Sequence, residues 1–210
     1  MRVTEIFFSI QGEGTRAGRP CVFVRLTGCD LRCNYCDTAY AFTGGREASR
    51  AEIVAEVARH PCHFVLLTGG EPMLQPELPA LAQDLLDRGY EVAVETHGQL
   101  PLDGLPDGVV RIADVKTPES GEAATDLSWL ARLRPADEVK FVVSSEADFR
   151  WALEVIRRHG LEDRVAVLVG PALGRVAPQD LAGWMLESGL RGRLNLQIHK
   201  VIWGAEARGV

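Results

Sequence analysis

The sequence predicts an α/β protein built as an incomplete, open β/α barrel. Apolar strand patterns alternate with helix patterns along most of the chain, and repeated β-then-α units imply a parallel sheet with right-handed crossovers. The roughly six strands expected are too few for a closed eight-stranded barrel. Chemistry in such folds gathers where strands end, and six polar residues fall at those positions: Arg25, Thr68, Glu95, Asp114, Lys116 and His199.

Composition indicates one globular domain. The chain has 210 residues, of which 46% are hydrophobic and 25% are charged. A net charge of -6 argues against a general nucleic-acid surface. Five cysteines, three of them clustered, do not form a disulfide framework and suit a reducing cytosol. No signal peptide and no apolar run of about 18 residues is evident, so the sequence predicts a cytoplasmic protein without a membrane span.

The N-terminal segment leads into a glycine-rich loop. Residues 1–8 are expected to form a short strand or an extended lead-in. Ser9–Thr15 is either a loop that approaches a ligand closely or an ordinary turn, and it lacks the spacing of a phosphate-binding loop. Cys21–Leu26 has the period of a strand, with Arg25 on the face of Phe23. Arg25 therefore either binds a carboxylate through its guanidinium fork or faces solvent.

Three thiols follow at the spacing C-x3-C-x2-C, in Cys29, Cys33 and Cys36. Structural zinc takes four ligands, often as two separated pairs, and a cubane iron–sulfur cluster also takes four thiolates. Three thiolates leave one iron of a cubane with an open position that can bind a substrate. The alternatives are buried structural cysteines, or a zinc site completed by Cys21, Cys62 or a histidine.

Beyond the cysteines, Asp37 and Thr38 offer oxygen atoms that either bind Mg²⁺ or cap the next segment. Ser49 and Glu52 form a capping-box pattern that begins a helix ending near His60. The remaining predicted elements are strands at His63–Thr68, Glu91–Glu95, Val109–Asp114, Glu138–Ser144, Arg164–Val169 and Arg193–Gln197, and helices at Leu78–Arg88, 126–133, Glu146–His159 and Pro178–Glu187.

The cysteine loop, the Gly69-Gly70-Glu71-Pro72 stretch after a buried strand and the β/α pattern together resemble the radical S-adenosylmethionine superfamily. The resemblance implies a 4Fe-4S cluster on Cys29, Cys33 and Cys36 whose open iron is chelated by S-adenosylmethionine. One-electron reduction then yields a 5′-deoxyadenosyl radical that abstracts a substrate hydrogen. It also implies that Gly69–Pro72 lies against the methionyl amino group, where side chains would block the approach.

Further motifs resemble the 7-carboxy-7-deazaguanine synthase family nearly end to end. They are Phe8–Gly14, Gly18–Pro20, Phe23, Arg25, Gly28-Cys29, Cys36–Thr38, Thr68–Pro72, Glu95–Gly98 and Gln197–Lys200. The resemblance implies a Mg²⁺-assisted radical ring contraction of 6-carboxy-5,6,7,8-tetrahydropterin to 7-carboxy-7-deazaguanine with loss of ammonia, toward queuosine and related 7-deazapurines. It further implies a carbon–nitrogen lyase, a homodimer, and an electron donor such as flavodoxin or ferredoxin.

The same resemblance implies roles for individual residues. Substrate contacts are expected from Ile10, Gln11, Gly12, Glu13, Arg25 and Thr68. S-adenosylmethionine contacts are expected from Tyr35, Cys36, Asp37, Gly70 and Lys116, and Thr38 is expected to ligate Mg²⁺. Glu95 and His199 are the candidate catalytic residues.

Two segments depart from the family pattern. Asp114-Val115-Lys116 stands where some members have Ser-Pro-Lys, and Gly170–Leu173 where some have Gln-Pro-x-Asp. The tail Val201–Val210 is longer than in some relatives, and its role stays open. Two alternative functions also stay open: an activase of a glycyl-radical enzyme, and a passive iron–sulfur or zinc module.

Overall fold

The fold is a single open sheet with helices on its outer face. The computed structural model describes residues 1–210. The sheet has nine strands in the order β3-β1-β2-β4-β5-β6-β7-β8-β9. They are β1 (Arg2–Ile10), β2 (Pro20–Leu26), β3 (Arg46–Glu47), β4 (Phe64–Gly69), β5 (Glu91–Thr96), β6 (Val110–Lys116), β7 (Glu138–Val143), β8 (Ala166–Pro171) and β9 (Arg193–Leu194).

The open barrel predicted from the sequence is confirmed, because β3 and β9 are free edges that do not pair with each other. The expectation of roughly six strands is too low: the sheet has nine, and among them the two-residue edge strand β3 was not predicted. Every neighbouring pair from β2 to β9 is parallel, as expected. β1 is antiparallel to β2 because the intervening loop is too short for a crossover connection.

Five α-helices accompany the sheet: α1 (Arg50–Val57), α2 (Leu78–Leu86), α3 (Glu146–Arg158), α4 (Pro178–Ser188) and α5 (Ile198–Trp203). The capping box at Ser49 and Glu52 is confirmed. None of these helices has the length and apolar character needed to cross a bilayer.

Two predicted elements are corrected by the structure. The helix expected at 126–133 is a short 3-10 helix, Ser128–Arg132. The strand expected at Arg193–Gln197 stops at Leu194, and His199 belongs to α5. The strand stops early because the side chains of Asn195 and Gln197 turn to bind Glu13 across the barrel.

Hydrophobic packing fills the outer face in two clusters. In one, Leu81 and Leu85 of α2 are buried with residues of α1, β1, β2, β4 and β5. In the other, Phe149 and Ile156 of α3 are buried with residues of α4, β6, β7 and β8. Each fully buried side chain of this size contributes about 1.5–3 kcal/mol, so the helices fix the curvature of the sheet behind the site.

The inner face changes character along the strands. Its amino-terminal half holds a small apolar cluster that includes Cys21, Phe23, Phe64 and Leu66. This confirms the predicted face of β2, because Val22, Val24 and Leu26 lie in the outer cluster. Toward the carboxyl ends the inward positions become polar, and a cavity opens there.

Candidate active site

A cavity of about 420 Å³ lies at the carboxyl ends of the strands. All six polar residues that were predicted at strand ends line it, although His199 reaches it from α5: Arg25, Thr68, Glu95, Asp114, Lys116 and His199. The parallel register places Arg25 opposite Thr68 and Asp114 opposite Lys140, so these side chains come from adjacent strands at matching heights. The cavity thus collects residues that are scattered through the sequence.

The three clustered cysteines line the same cavity as free, half-buried thiols. Burial raises the pKa of Cys33 to about 11 and also raises the pKa of Cys29, so these thiols need a positive metal centre to become thiolates. Cys21 is buried in the apolar inner cluster, and the Cys62 thiol donates to backbone carbonyls at Pro20 and Phe64. Neither thiol lines the cavity, so neither is placed as a fourth ligand.

The arrangement of the cysteines fits a cubane better than a single ion. No group of three His, Cys, Asp or Glu side chains in the chain surrounds one metal-ion position. A cubane does not need such convergence, because each thiolate binds a different iron. Three thiols on one loop at the wall of a cavity therefore fit a 4Fe-4S cluster with one iron free of protein ligands.

Gly69 and Gly70 pack against the backbone that begins the cysteine loop. The Gly70 N–H donates to Leu26 O at 3.1 Å, and the Glu71 N–H donates to Gly28 O at 2.7 Å. A Cβ atom would lie 2.1 Å from Leu26 O at Gly69, and 2.0 Å from Gly28 O at Gly70. From the sequence, we expected that these positions are glycine to leave room for a ligand. In the structure, the close contact with the cysteine loop is by itself enough to exclude a side chain at either position.

Glu71 is a fully buried carboxylate that joins this motif to the end of β5. It accepts hydrogen bonds from the Met73 N–H at 2.9 Å, the Thr96 hydroxyl at 2.8 Å and the His97 N–H at 2.8 Å. Buried donors that lose their acceptor are costly, so Glu71 fixes the turn after β5. Sequence reasoning assigned no separate role to Glu71.

His97 extends this link to the cysteine loop. Its Nδ1 accepts from the Gln99 N–H at 3.1 Å, so Nε2 carries the proton and donates to Asp30 Oδ1 at 2.9 Å. Asp30 follows Cys29 directly. His97 also lay outside the predicted site, although its position after the Glu95-Thr96 strand end was a signal for it.

A buried ammonium group, Lys140 on β7, lies among three carboxylates. Its Nζ donates to Glu13 Oε2 at 3.1 Å and to Glu95 Oε1, and lies 3.4 Å from Asp114 Oδ2. Asp114 also accepts from Lys116 Nζ at 2.9 Å. Sequence reasoning missed Lys140; the available signal was a pair of charged residues, Glu138 and Lys140, at the same face of a strand.

The three carboxyl groups around Lys140 have pKa values that are shifted in different directions. Burial raises the pKa of Glu95, and the attraction of Lys140 does not overcome it. Burial also acts on Glu13, but there Lys140 and the hydrogen bond from Gln197 prevail and the pKa is lowered. Asp114 likewise has a lowered pKa, because Lys116 and Lys140 outweigh the effect of its burial.

The glycine-rich loop after β1 is drawn across the barrel. The Gly14 N–H donates to Asn195 Oδ1 at 2.7 Å, and Gln197 Nε2 donates to Glu13 Oε1 at 2.8 Å. Arg16 Nη1 donates to Glu138 Oε1 at 2.7 Å. Ile10, Gln11 and Glu13, all expected to contact substrate, line the cavity as a result.

Gly12 does not line the cavity; it lies directly behind His199. A Cβ at Gly12 would be 1.9 Å from His199 Nδ1, and the Ile198 N–H donates to Gly12 O at 3.0 Å. Burial lowers the pKa of His199. Because Gly12 has no side chain, the His199 imidazole can occupy its position at the cavity wall.

Arg25 is oriented by Glu5, a residue that the sequence did not single out. Arg25 Nε donates to Glu5 Oε1 at 2.7 Å, and the Tyr40 hydroxyl donates to the same oxygen at 2.8 Å. The two Nη nitrogens of Arg25 make no hydrogen bond within the chain. The guanidinium therefore keeps both Nη groups, with four N–H donors, for a ligand in the cavity.

Other predicted residues complete the wall. Tyr35 lines the cavity with its hydroxyl buried and without a hydrogen-bond partner. Asp37 accepts from Lys200 Nζ at 2.5 Å and from the Thr38 hydroxyl at 3.0 Å. Burial opposes ionisation of Asp37, but Lys200 prevails and lowers its pKa to about 2. The segments that departed from the family pattern, and the tail, also contribute to the lining through Gly170–Leu173 and Ala205–Val210.

Sequence comparisons identify proteins that are similar to this chain. Residues 23–118 match the Radical SAM superfamily. A protein of Koribacter versatilis named 7-carboxy-7-deazaguanine synthase is 47% identical, with 100% of both chains covered. A protein of Chlorobaculum tepidum with the same name is 42% identical, over 100% of this chain and 97% of the relative.

Structural comparisons support the fold. QueE from Escherichia coli superposes with a TM-score of 0.76, covering 93% of each chain at 21% sequence identity. Streptococcus suis SuiB bound to S-adenosylmethionine gives a TM-score of 0.58 at 13% identity, over 78% of this chain and 42% of that chain. At these identities the likeness concerns the fold.

Glu71→Gln is expected to destabilise the fold by about 2–3 kcal/mol, because an amide nitrogen would face buried N–H and O–H donors. Urea unfolding of wild type and variant in the same metal-loading state measures this. Glu146→Gln is the matched control: this exposed carboxylate pairs only with Arg150 along α3, and its loss should cost at most about 0.5 kcal/mol. Equal effects of the two substitutions would contradict the anchoring role of Glu71.

Gly12→Ala is expected to displace the His199 imidazole. A displaced ring loses its burial, so its pKa should rise toward the ordinary value, which an NMR titration of the histidine Cε1–H signals would detect. Gly183→Ala is the matched control, because a Cβ there meets nothing within 4 Å in α4 and should leave the His199 titration unchanged. An unshifted His199 in the Gly12 variant would show that the ring does not depend on this glycine.

Proposed function

This chain belongs to the 7-carboxy-7-deazaguanine synthase family of the Radical SAM superfamily, and on that premise we propose that it converts 6-carboxy-5,6,7,8-tetrahydropterin into 7-carboxy-7-deazaguanine. Loss of ammonia in that conversion breaks carbon–nitrogen bonds and makes the enzyme a lyase. The open barrel is the fold of this superfamily. The observation that carries the proposal is that the cysteine loop, the Gly69-Gly70 turn and the glycine-rich loop all contribute residues to one cavity.

The cluster and its cofactor have suitable residues in the cavity wall. Cys29, Cys33 and Cys36 would hold a 4Fe-4S cluster. When bound, the cluster and S-adenosylmethionine supply a radical able to abstract a substrate hydrogen. A passive iron–sulfur or zinc module would have no use for the large polar cavity beside the thiols, which favours the enzyme.

S-adenosylmethionine would be held by Tyr35, Cys36, Asp37, Gly70 and Lys116. The unpartnered Tyr35 hydroxyl supports this assignment, because a buried polar group without a partner is rare unless a ligand completes it. Mg²⁺ would bind at Thr38, whose hydroxyl lines the cavity beside the ionised Asp37.

The substrate carboxylate would bind the free Nη edge of Arg25. A guanidinium edge and a carboxylate match in shape and charge, and Glu5 prevents rotation of the guanidinium by holding Nε. Ile10, Gln11, Glu13 and Thr68 would contact the rest of the pterin. Gly12 would act indirectly, by allowing His199 to reach the wall.

Glu95 and His199 would move protons during ring contraction. The raised pKa of Glu95 brings this carboxyl closer to neutral pH, where it can take up and release a proton, and the lowered pKa of His199 favours the neutral imidazole, which can accept one. General acid–base catalysis is most efficient when the pKa of the group lies near the working pH.

Other properties of the family remain predictions for this chain. They are an electron donor such as flavodoxin or ferredoxin, a homodimer, a cytoplasmic location and a place in queuosine or 7-deazapurine synthesis. The relatives described above are synthases, which favours this function over a glycyl-radical activase.

Anaerobic reconstitution with iron and sulfide, followed by reduction and addition of S-adenosylmethionine and carboxytetrahydropterin, tests the function. Mass spectrometry should detect 7-carboxy-7-deazaguanine, and Cys33→Ala should abolish both product and cluster absorbance because too few thiolates remain. Cys62→Ala is the matched control and should keep its iron, since Cys62 lies outside the cavity. Cluster-loaded, reduced wild type that makes no product would refute the function.

Arg25→Ala is expected to weaken binding of the carboxylated pterin by about 10- to 100-fold, because charge-assisted hydrogen bonds contribute about 1.5–3 kcal/mol. Anaerobic calorimetry measures this affinity. A tetrahydropterin without the carboxylate serves as the control ligand, and its affinity should be the same for wild type and variant. Equal losses for both ligands would show that Arg25 does not recognise the carboxylate.

A further inference from the structure

We propose that Lys140 is the positioning residue for Glu95: it holds this carboxylate at the cavity wall and sets the pH at which Glu95 exchanges its proton. The catalytic part of this inference rests on the proposed function. Nothing in the sequence motifs marked Lys140, which lies inside the apolar pattern of β7.

The geometry around Lys140 suits a residue that holds carboxylate groups in place. Its side chain is only 7% exposed, and its ammonium contacts carboxylates from the loop after β1, from β5 and from β6. An ammonium group has three N–H donors and no acceptor, so three carboxylate oxygens use its full capacity. A buried cation in this position has no freedom to turn away.

Glu95 depends on Lys140 more than the other two carboxylates do. Glu13 also accepts from Asn195 and Gln197, and Asp114 also accepts from Lys116. The Glu95 side chain accepts a single hydrogen bond within the chain, and Lys140 donates it. Loss of Lys140 would therefore leave Glu13 and Asp114 partly held but would release Glu95.

The charges around Glu95 predict the direction of the effect. Its titratable neighbours are Lys140 from β7, Asp114 from β6 and Glu13 from the loop after β1. On the other side β4 presents Leu66 and Thr68, which do not titrate. Lys140 is the cation among these neighbours, so its removal leaves two negative charges facing Glu95 and should raise the pKa of Glu95 further.

The first experiment compares pH profiles of product formation by cluster-loaded Lys140→Met and wild type. The limb that belongs to Glu95 is identified as the one that Glu95→Gln removes. Lys140→Met should move this limb to higher pH and lower kcat by about 100-fold, the order expected when a reacting group is misplaced. Glu13→Gln should move it to lower pH, because it removes a negative charge from beside Glu95.

A double-mutant cycle separates positioning from general destabilisation. If Lys140 acts through Glu95, Lys140→Met should lower kcat much less in a Glu95→Gln background than in wild type. Arg134→Met is the matched control: Arg134 pairs with the buried Asp137 before β7, so this variant should lose thermal stability but keep the limb in place. Additive losses, or an unmoved limb in Lys140→Met, would overturn the proposal.

A readout without turnover distinguishes this proposal from the proposed function. In full-length protein labelled with ¹³C at the glutamate carboxyl carbons, the signal missing from Glu95→Gln reports the titration of Glu95 directly. Its midpoint should rise in Lys140→Met and fall in Glu13→Gln, whether or not the wild type makes the deazapurine. An unchanged midpoint in both variants would refute the role of Lys140 even if the enzyme is active.

Discussion

One buried ammonium group connects the two halves of an open barrel. Lys140 binds carboxylates from the loop after β1 and from β5, and lies close to a third on β6. A closed barrel fills its interior with layers of side chains from all its strands, whereas this sheet ends at β3 and β9. The glycine-rich loop has to cross that interior instead. Because a buried charge is costly unless it is paired, the loop is held where Glu13 meets Lys140.

Along the strands, the residues that pack the core and the residues that line the cavity occupy different halves. The inner face begins with an apolar cluster around Phe23 and Phe64, and ends with the charged groups of the cavity. The apolar half can be packed tightly because the helices on the outer face hold the sheet from behind. The polar half is then free to carry groups that a packed core would exclude. This division explains why residues far apart in sequence meet at one end of the sheet.

Local sequence patterns were enough to predict much of the fold and part of the candidate site. The period of two in β2, the alternation of strands and helices, and the cysteine spacing identified the open barrel, the six strand-end residues and the thiols at the cavity. Long-range partners were not predictable. A lysine within a strand pattern gives no sign that it will meet Glu13 and Glu95, and Glu71 shows its role only beside Thr96 and His97. The last strand was overestimated for the same reason, because Asn195 and Gln197 serve a distant glutamate.

The contact between Gly69-Gly70 and the start of the cysteine loop bears on how this family could diverge. Any side chain at either glycine would collide with the backbone of Leu26 or Gly28, so selection for a folded chain alone would preserve both. A descendant that lost its cofactor chemistry, and even its cysteines, would keep the glycines as long as it kept this turn. Retention of this motif in a distant sequence is therefore a record of ancestry and folding, and the thiols are the better guide to whether the radical chemistry survives.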